Sequence, residues 1–126
     1  MHTLLTPDQL AELLYEWAAG SRGAEAAVEL LDEHGTWLHR ADFVHACVNY
    51  DHDGSRPVAW IDWHIVVSWI AESTACSASE ARILRLAAEL AGVDSGEPLA
   101  DLFTSLDDRN SRLVLDAIAY ALQVGR

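Results

Sequence analysis

Apolar residues recur at helical spacing through most of this 126-residue chain, and recognisable start and stop signals bound each periodic stretch. Thr6-Pro7-Asp8-Gln9 reads as a helix start: a threonine cap, proline at the first helical position and glutamine three residues after the cap. Leu10, Leu13, Leu14 and Trp17 follow at i, i+3, i+4 and i+7, one buried stripe that ends at Gly20. A second helix is predicted from about Ala24 to Glu33, burying Val28 and Leu31 and stopping at Gly35. The short connection predicts that these two helices form an antiparallel hairpin. Thr36 is placed to cap a third helix carrying Trp37, Leu38, Ala41, Val44 and Val48.

The stretch from Asn49 to Pro57 is dense in turn formers and reads as a turn or loop. Val58 to Ile70 is ambiguous. As a helix it is apolar nearly all round, with only Asp62, His64 and Ser68 polar, and would be the buried central helix. As a strand it is rich in Trp, Ile and Val. A combined reading keeps residues 57–61 extended and makes Asp62 the N-cap of a helix over 63–73. Residues 44–50 can then pair with 57–61 across the Asp53-Gly54 turn.

Ser77-Ala78-Ser79-Glu80 is a capping box opening a helix through Ala91, which Gly92 closes. Ile83, Leu84, Ala87 and Leu90 face inward on it, with Arg82, Arg85 and Glu89 on the wet face. Val93 to Pro98 reads as a loop, and Pro98 begins a short helix with Leu99, Leu102 and Phe103. Asp107 caps a last helix whose inner face is Leu113, Val114, Ala117, Ile118, Ala121 and Leu122. The pattern predicts a mainly α, compact single-domain bundle of about five to six helices over residues 1–126, with room for one short β-hairpin near 44–50/57–61.

Composition narrows the class. Half of the chain is hydrophobic, yet no apolar run reaches membrane-spanning length. The first residues, Met1-His2-Thr3-Leu4-Leu5, lack the basic region and long apolar stretch of a signal peptide. Cys47 and Cys76 lie far apart and suit a reducing cytoplasm, where each is a small hydrophobe rather than a disulfide partner. All eight Lys and Arg positions are arginine, and alanine is abundant, the mark of a GC-rich genome. A net charge of −12 argues against nucleic acid or anionic membrane as a direct ligand, because phosphate recognition needs a basic footprint. It favours a protein partner with a basic surface.

The charge is also ordered. Asp8, Glu12 and Glu16 stand four residues apart on the first helix, and Glu25, Glu29 and Glu33 repeat that spacing on the second. Each set forms a rail of carboxylates with a step of roughly 6 Å, one helical turn. Like charges at i,i+4 cost a few tenths of a kcal/mol per pair, so the rails have a price in helix stability. Phosphates along one DNA strand have a comparable separation of about 6–7 Å, which makes a nucleic-acid-mimicking inhibitor of a host or phage protein one alternative function. Arg82, Arg85, Arg109 and Arg112 give the C-terminal half mixed charge and work against uniform mimicry.

Five of the six histidines and four of the five tryptophans lie between His34 and Trp69. A His–Asp or His–Cys pair needs hydrogen-bond contact. Residues two apart on a helix point about 200° away from each other, so Asp62 and His64 can pair only on a strand. The chain has no nucleophile elbow, P-loop, dinucleotide fingerprint or HExxH helix. Asn49, Asp51, Asp53 and Gly54 match the opening of an EF-hand calcium loop, but Trp60 stands where its closing glutamate belongs. A small metal-binding module or enzyme centred on Asp51, Asp53, His45 and His64 is therefore a second alternative. Trp60, Trp63 and Trp69, with Ile61, Ile65 and Ile70, divide between core and contact surface: 126 residues have limited room to bury five indoles, and Trp is enriched at interface hot spots.

At Thr36-Trp37-Leu38, Asp42-Phe43, Ala59-Trp60-Ile61-Asp62-Trp63, Glu80 to Gly92 and Leu106-Asp107-Asp108-Arg109-Asn110, the chain resembles a family of small, helix-rich actinobacterial proteins. The likeness spans residues 34 to 124. It implies a cytoplasmic helical protein and carries over no activity or catalytic residue. The leading expectation is a non-enzymatic adaptor or regulatory domain without a cofactor, binding a protein partner through Asp8, Glu12, Glu16, Glu25, Glu29, Glu33, Trp60, Trp63 and Trp69, with a homodimer as one form of it.

Overall fold

Each cap foreseen from the sequence, Thr36 excepted, is a made hydrogen bond in the computed structural model of the chain, which describes residues 5–72 and 75–123. Thr6 Oγ1 accepts from the Gln9 amide at 3.1 Å while Gln9 Oε1 accepts from the Thr6 amide at 2.9 Å, opening α1 (Pro7–Ala18). Ser77 and Glu80 make the same reciprocal pair, at 3.1 and 3.0 Å, at the start of α5 (Ala78–Leu90). Asp62 Oδ1 accepts from the amides of His64 and Ile65, at 3.1 and 3.3 Å, and starts α4 (Trp63–Glu72). Residue 73, the expected end of that helix, lies outside the described residues. Asp107 accepts from the Asn110 amide at 2.7 Å and opens α7 (Asp108–Leu122), and Pro98 precedes the short α6 (Leu99–Phe103).

The second helix, α2 (Arg22–His34), starts earlier than expected because Ser21 Oγ accepts from the Ala24 amide at 3.3 Å. It stops where Gly35 takes the left-handed conformation, φ 78°. Thr36 caps nothing: its side chain makes no cap bond, and the chain makes one 3-10 turn at Trp37–His39 before α3 (Ala41–Cys47). Tertiary contacts bend this corner. The Trp37 indole N–H donates to the Glu80 carbonyl at 3.1 Å, and the Arg40 guanidinium lies 4.9 Å over the Trp37 ring. Arg40 also pairs with Asp42 and donates to the Ala75 carbonyl at 2.9 Å.

The hairpin exists, but its first strand begins and ends later than expected. β1 (Val48–Asp53) and β2 (Arg56–Ile61) run antiparallel, from Val48 opposite Ile61 to Asp53 opposite Arg56, around a tight turn at Gly54 with φ 69°. Asn49 to Asp53, expected as loop, is therefore strand. Its letters misled because its outward residues, Asn49, Asp51 and Asp53, are exposed and polar, while Ala59 and Ile61 bury the opposite face.

Helix α2 lies at the centre of the packing, chiefly against α7 and α5, whereas α1 rests on β2 as well as on α2. The opening pair thus pack on each other across their short connection, and each has further neighbours of its own. Ala26, Ala27, Val28, Leu30 and Leu31 of α2 are buried with Leu14, Phe43, Ile83, Leu84 and Ala87. Gly23 lets α2 approach α5 at backbone distance: a Cβ there would stand 2.3 Å from the Leu90 carbonyl oxygen. Trp37, Phe43 and Trp69 form an aromatic cluster with ring centroids 5.5 to 5.8 Å apart.

Two residues expected on the wet face of α5 instead hold the loop that follows it. Arg85 pairs with Glu97 at 3.0 Å and donates to the Ser95 carbonyl, and Glu89 accepts from the Ser95 amide at 2.9 Å. Ser95 is fully buried as a result. Trp17, expected inside, is 41% exposed, and Leu122 is 68% exposed.

Candidate functional site: an acidic face on α2

Seven residues are close to two helical turns, so Asp32 returns to nearly the angular position of Glu25, and Glu29 and Glu33 lie beside them. The α2 rail is therefore a crest of four carboxylates, one more than the four-residue spacing revealed. The i,i+7 relation of Glu25 and Asp32 was available in the sequence as the missing signal.

Two tyrosines from neighbouring helices flank that crest. The Tyr15 hydroxyl of α1 donates to Asp32 at 3.1 Å, and the Tyr120 hydroxyl of α7 donates to Glu25 at 3.1 Å. Burial, and then the nearby Asp32, Glu29 and Glu33 carboxylates, push the Tyr15 phenol well above its ordinary range. Burial, and then Glu25 and Glu29, push Tyr120 up as well. The Glu29 carboxylate presses on both phenols. Both phenols stay protonated at neutral pH and serve as neutral donors.

Arginines mark the two ends of α2. Arg22 stacks over the Tyr120 ring, 5.3 Å from its centroid. Arg109 donates to the carbonyl oxygens of Glu33 and His34, at 3.1 and 3.2 Å, where a cation is favoured at a helix C-terminus.

The α1 row, Asp8, Glu12 and Glu16, is exposed. Glu16 pairs with Arg56 of β2 at 3.2 Å, but both side chains are more than half exposed, and such pairs contribute about 0–1 kcal/mol.

The tryptophans of the middle segment do not form one patch. Trp63 is buried, 6% exposed, and its indole N–H has no partner among the described residues. Trp60, on β2, is half-buried. Trp69 is half-buried between the aromatic cluster and a shallow groove that it lines with His64, Ile65, Ser68 and Glu72; Ile65 is 46% exposed there. Trp17, which sequence reasoning placed in the core, is the most exposed indole among the described residues.

The histidines scatter. His39 and His45 line a second groove, about 700 Å³, with Leu5, Leu10, Val44 and Tyr50, while His64 lies on the other. The Asp62 carboxylate bonds the backbone amide of His64 rather than its ring. Asn49, Asp51 and Asp53 alternate along β1, and Asp51 accepts from the His52 amide at 2.8 Å, so the residues that match the opening of a calcium loop form an extended strand. Among the described residues no three His, Cys, Asp or Glu side chains are grouped to hold a metal ion. Cys47 and Cys76 are free thiols, and burial pushes the Cys47 thiol up to about 12.

Compared with known proteins, the chain matches no family model, no curated protein and no solved structure. Among the described residues no helix is long and apolar enough to cross a membrane.

Proposed function

We propose that this is a non-enzymatic protein-binding domain, acting in a reducing cytoplasm, whose α2 crest receives the basic surface of a partner protein. The observation that carries the reading is that Glu25 and Asp32 are held by tyrosine hydroxyls, at 3.1 Å each, on a helix face they share with Glu29 and Glu33. An arginine in either tyrosine's place would hold the carboxylate and cancel its charge. A phenol fixes the carboxylate's direction and leaves the charge in place. Four like charges within about 12 Å of helix cost stability. A complementary partner relieves that repulsion, and the negative field raises its rate of encounter. The α1 row of Asp8, Glu12 and Glu16 widens the field, and the Ile65–Trp69 groove offers an apolar contact outside it.

The test compares the native chain with a variant carrying Glu25→Gln, Glu29→Gln, Asp32→Asn and Glu33→Gln. Partners are captured from the host and their affinity is measured at rising salt. The reading predicts that the native complex weakens steeply with salt and that the neutralised variant loses the partner. An unchanged affinity in the variant refutes it, and a complex broken instead by Ile65→Ser transfers the function to the α4 groove.

A further inference from the structure

We infer that His34 is an acid-sensitive latch between α2 and α7: on taking up a proton it drives the Arg109 guanidinium off the carboxyl end of α2 and frees the start of the last helix. His34 is 7% exposed, and its Nδ1 has no hydrogen-bond partner among the described residues. Its backbone carbonyl receives Arg109 at 3.2 Å, beside the Glu33 carbonyl at 3.1 Å. The charged groups that face the ring come from two other helices: Arg109 and Asp107 from the start of α7, and Glu80 from α5. The 3-10 turn that packs on α2 carries Trp37, an uncharged indole committed to the Glu80 carbonyl.

Burial, and then Arg109, hold the ring neutral below its ordinary value of 6.5, against the smaller pull of Glu80 and Asp107. The unfolded chain takes up its proton near 6.5, while the folded chain resists to lower pH. The unfolded state thus binds more protons in that window, and stability falls as pH drops through it. Above about 6.5 the latch is fully closed.

The strain falls on α7 because Arg109 is on its first turn. There its other anchors are few: the Asn110 side chain donates to Ser79 Oγ at 2.9 Å, and Asp107 caps the helix it begins. Proton uptake at His34 puts a charge on a ring that is only 7% exposed, beside an Arg109 side chain that is itself exposed and free to swing out into water. Lifting the first turn of α7 is the relief nearest the repulsion, and it uncovers the buried Asn110 side chain, with Val114 next along the helix.

Hydrogen exchange of the full chain between pH 7.5 and 5, corrected for the intrinsic rate, tests the latch. The native protein should lose protection along α7 ahead of α1 and the β1–β2 hairpin, by about tenfold for each pH unit that separates the folded and unfolded titrations of His34. His34→Gln and His34→Leu should keep α7 protection flat over the same range. The His34 ring resonances of the native chain should titrate below 6.5 and in step with α7 opening. The latch is overturned by a folded variant that opens α7 at the native midpoint. It is equally overturned by a ring that titrates at or above 6.5, or by native α7 protection lost only together with the whole molecule.

Discussion

Replacing Gly23 by alanine sets two well-understood effects against each other. Gly23 lies in the first turn of α2, and helix propensity alone says that Gly→Ala stabilises by up to about 1 kcal/mol, partly by restricting the unfolded chain. The packing says the reverse. The new Cβ would stand 2.3 Å from the Leu90 carbonyl oxygen, a backbone atom of α5 that cannot rotate aside. Restoring an ordinary contact requires the two helices to separate by about 1 Å, in an interior packed too tightly to absorb it. Overpacking of this kind costs about 1–3 kcal/mol and exceeds the propensity gain. The separation also loosens Arg22 from Tyr120. The net expectation for Gly23→Ala is a loss of about 1–2 kcal/mol, a melting temperature lower by roughly 3–8 °C for a domain of this size. Urea denaturation measures it directly: the midpoint should fall with the slope unchanged. A higher midpoint for Gly23→Ala would show that α2 and α5 do not meet at backbone distance, and the placement of the acidic crest would fall with that seam.

Three further outcomes are accessible to simple assays. Ser77→Ala removes the acceptor for the Glu80 amide and should cost about 1 kcal/mol, read as a lower urea midpoint; no change would mean that the capping box does not stabilise α5. Alkylation of the native chain at pH 8 should modify Cys76 well before Cys47, whose thiol is buried and raised to about 12, and equal rates would contradict the burial. Alkaline titration followed at 295 nm should show Tyr15→Phe losing a phenol that ionises above the ordinary value of 10.0; loss of a step at or below that value would remove Tyr15 from the carboxylates of α2.

Local chemistry wrote most of the fold into the sequence. The Thr6, Asp62, Ser77 and Asp107 caps act over three residues or fewer, so their letters sufficed to place four helix starts. Thr36 failed because the corner after it is set by Trp37 reaching Glu80, 43 residues away, and by Arg40 reaching Ala75. Asn49 to Asp53 failed because an exposed strand face and a turn use the same polar residues. Arg85 and Glu89 looked like solvent-facing charges until the Ser95 loop folded back to meet them.

The crest was half legible. Helix periodicity aligned Glu25, Glu29 and Glu33, and its i,i+7 arm reaches Asp32. The hydroxyls of Tyr15 and Tyr120 come from helices 17 and 95 residues away along the chain, and no local pattern announces them. The tryptophans were the reverse case. Their clustering in sequence suggested one surface, yet Trp63 went to the core and Trp17, outside the cluster, reached the surface.

The central claim is that the four carboxylates of α2 are the surface a partner covers. Carbodiimide labelling of carboxylates, read by mass spectrometry with and without the partner captured by the native chain, tests it at the residues themselves. The account predicts that Glu25, Glu29, Asp32 and Glu33 lose labelling in the complex while Asp101 and Asp108, on α6 and α7, keep it. Protection that leaves those four unchanged and appears elsewhere contradicts it.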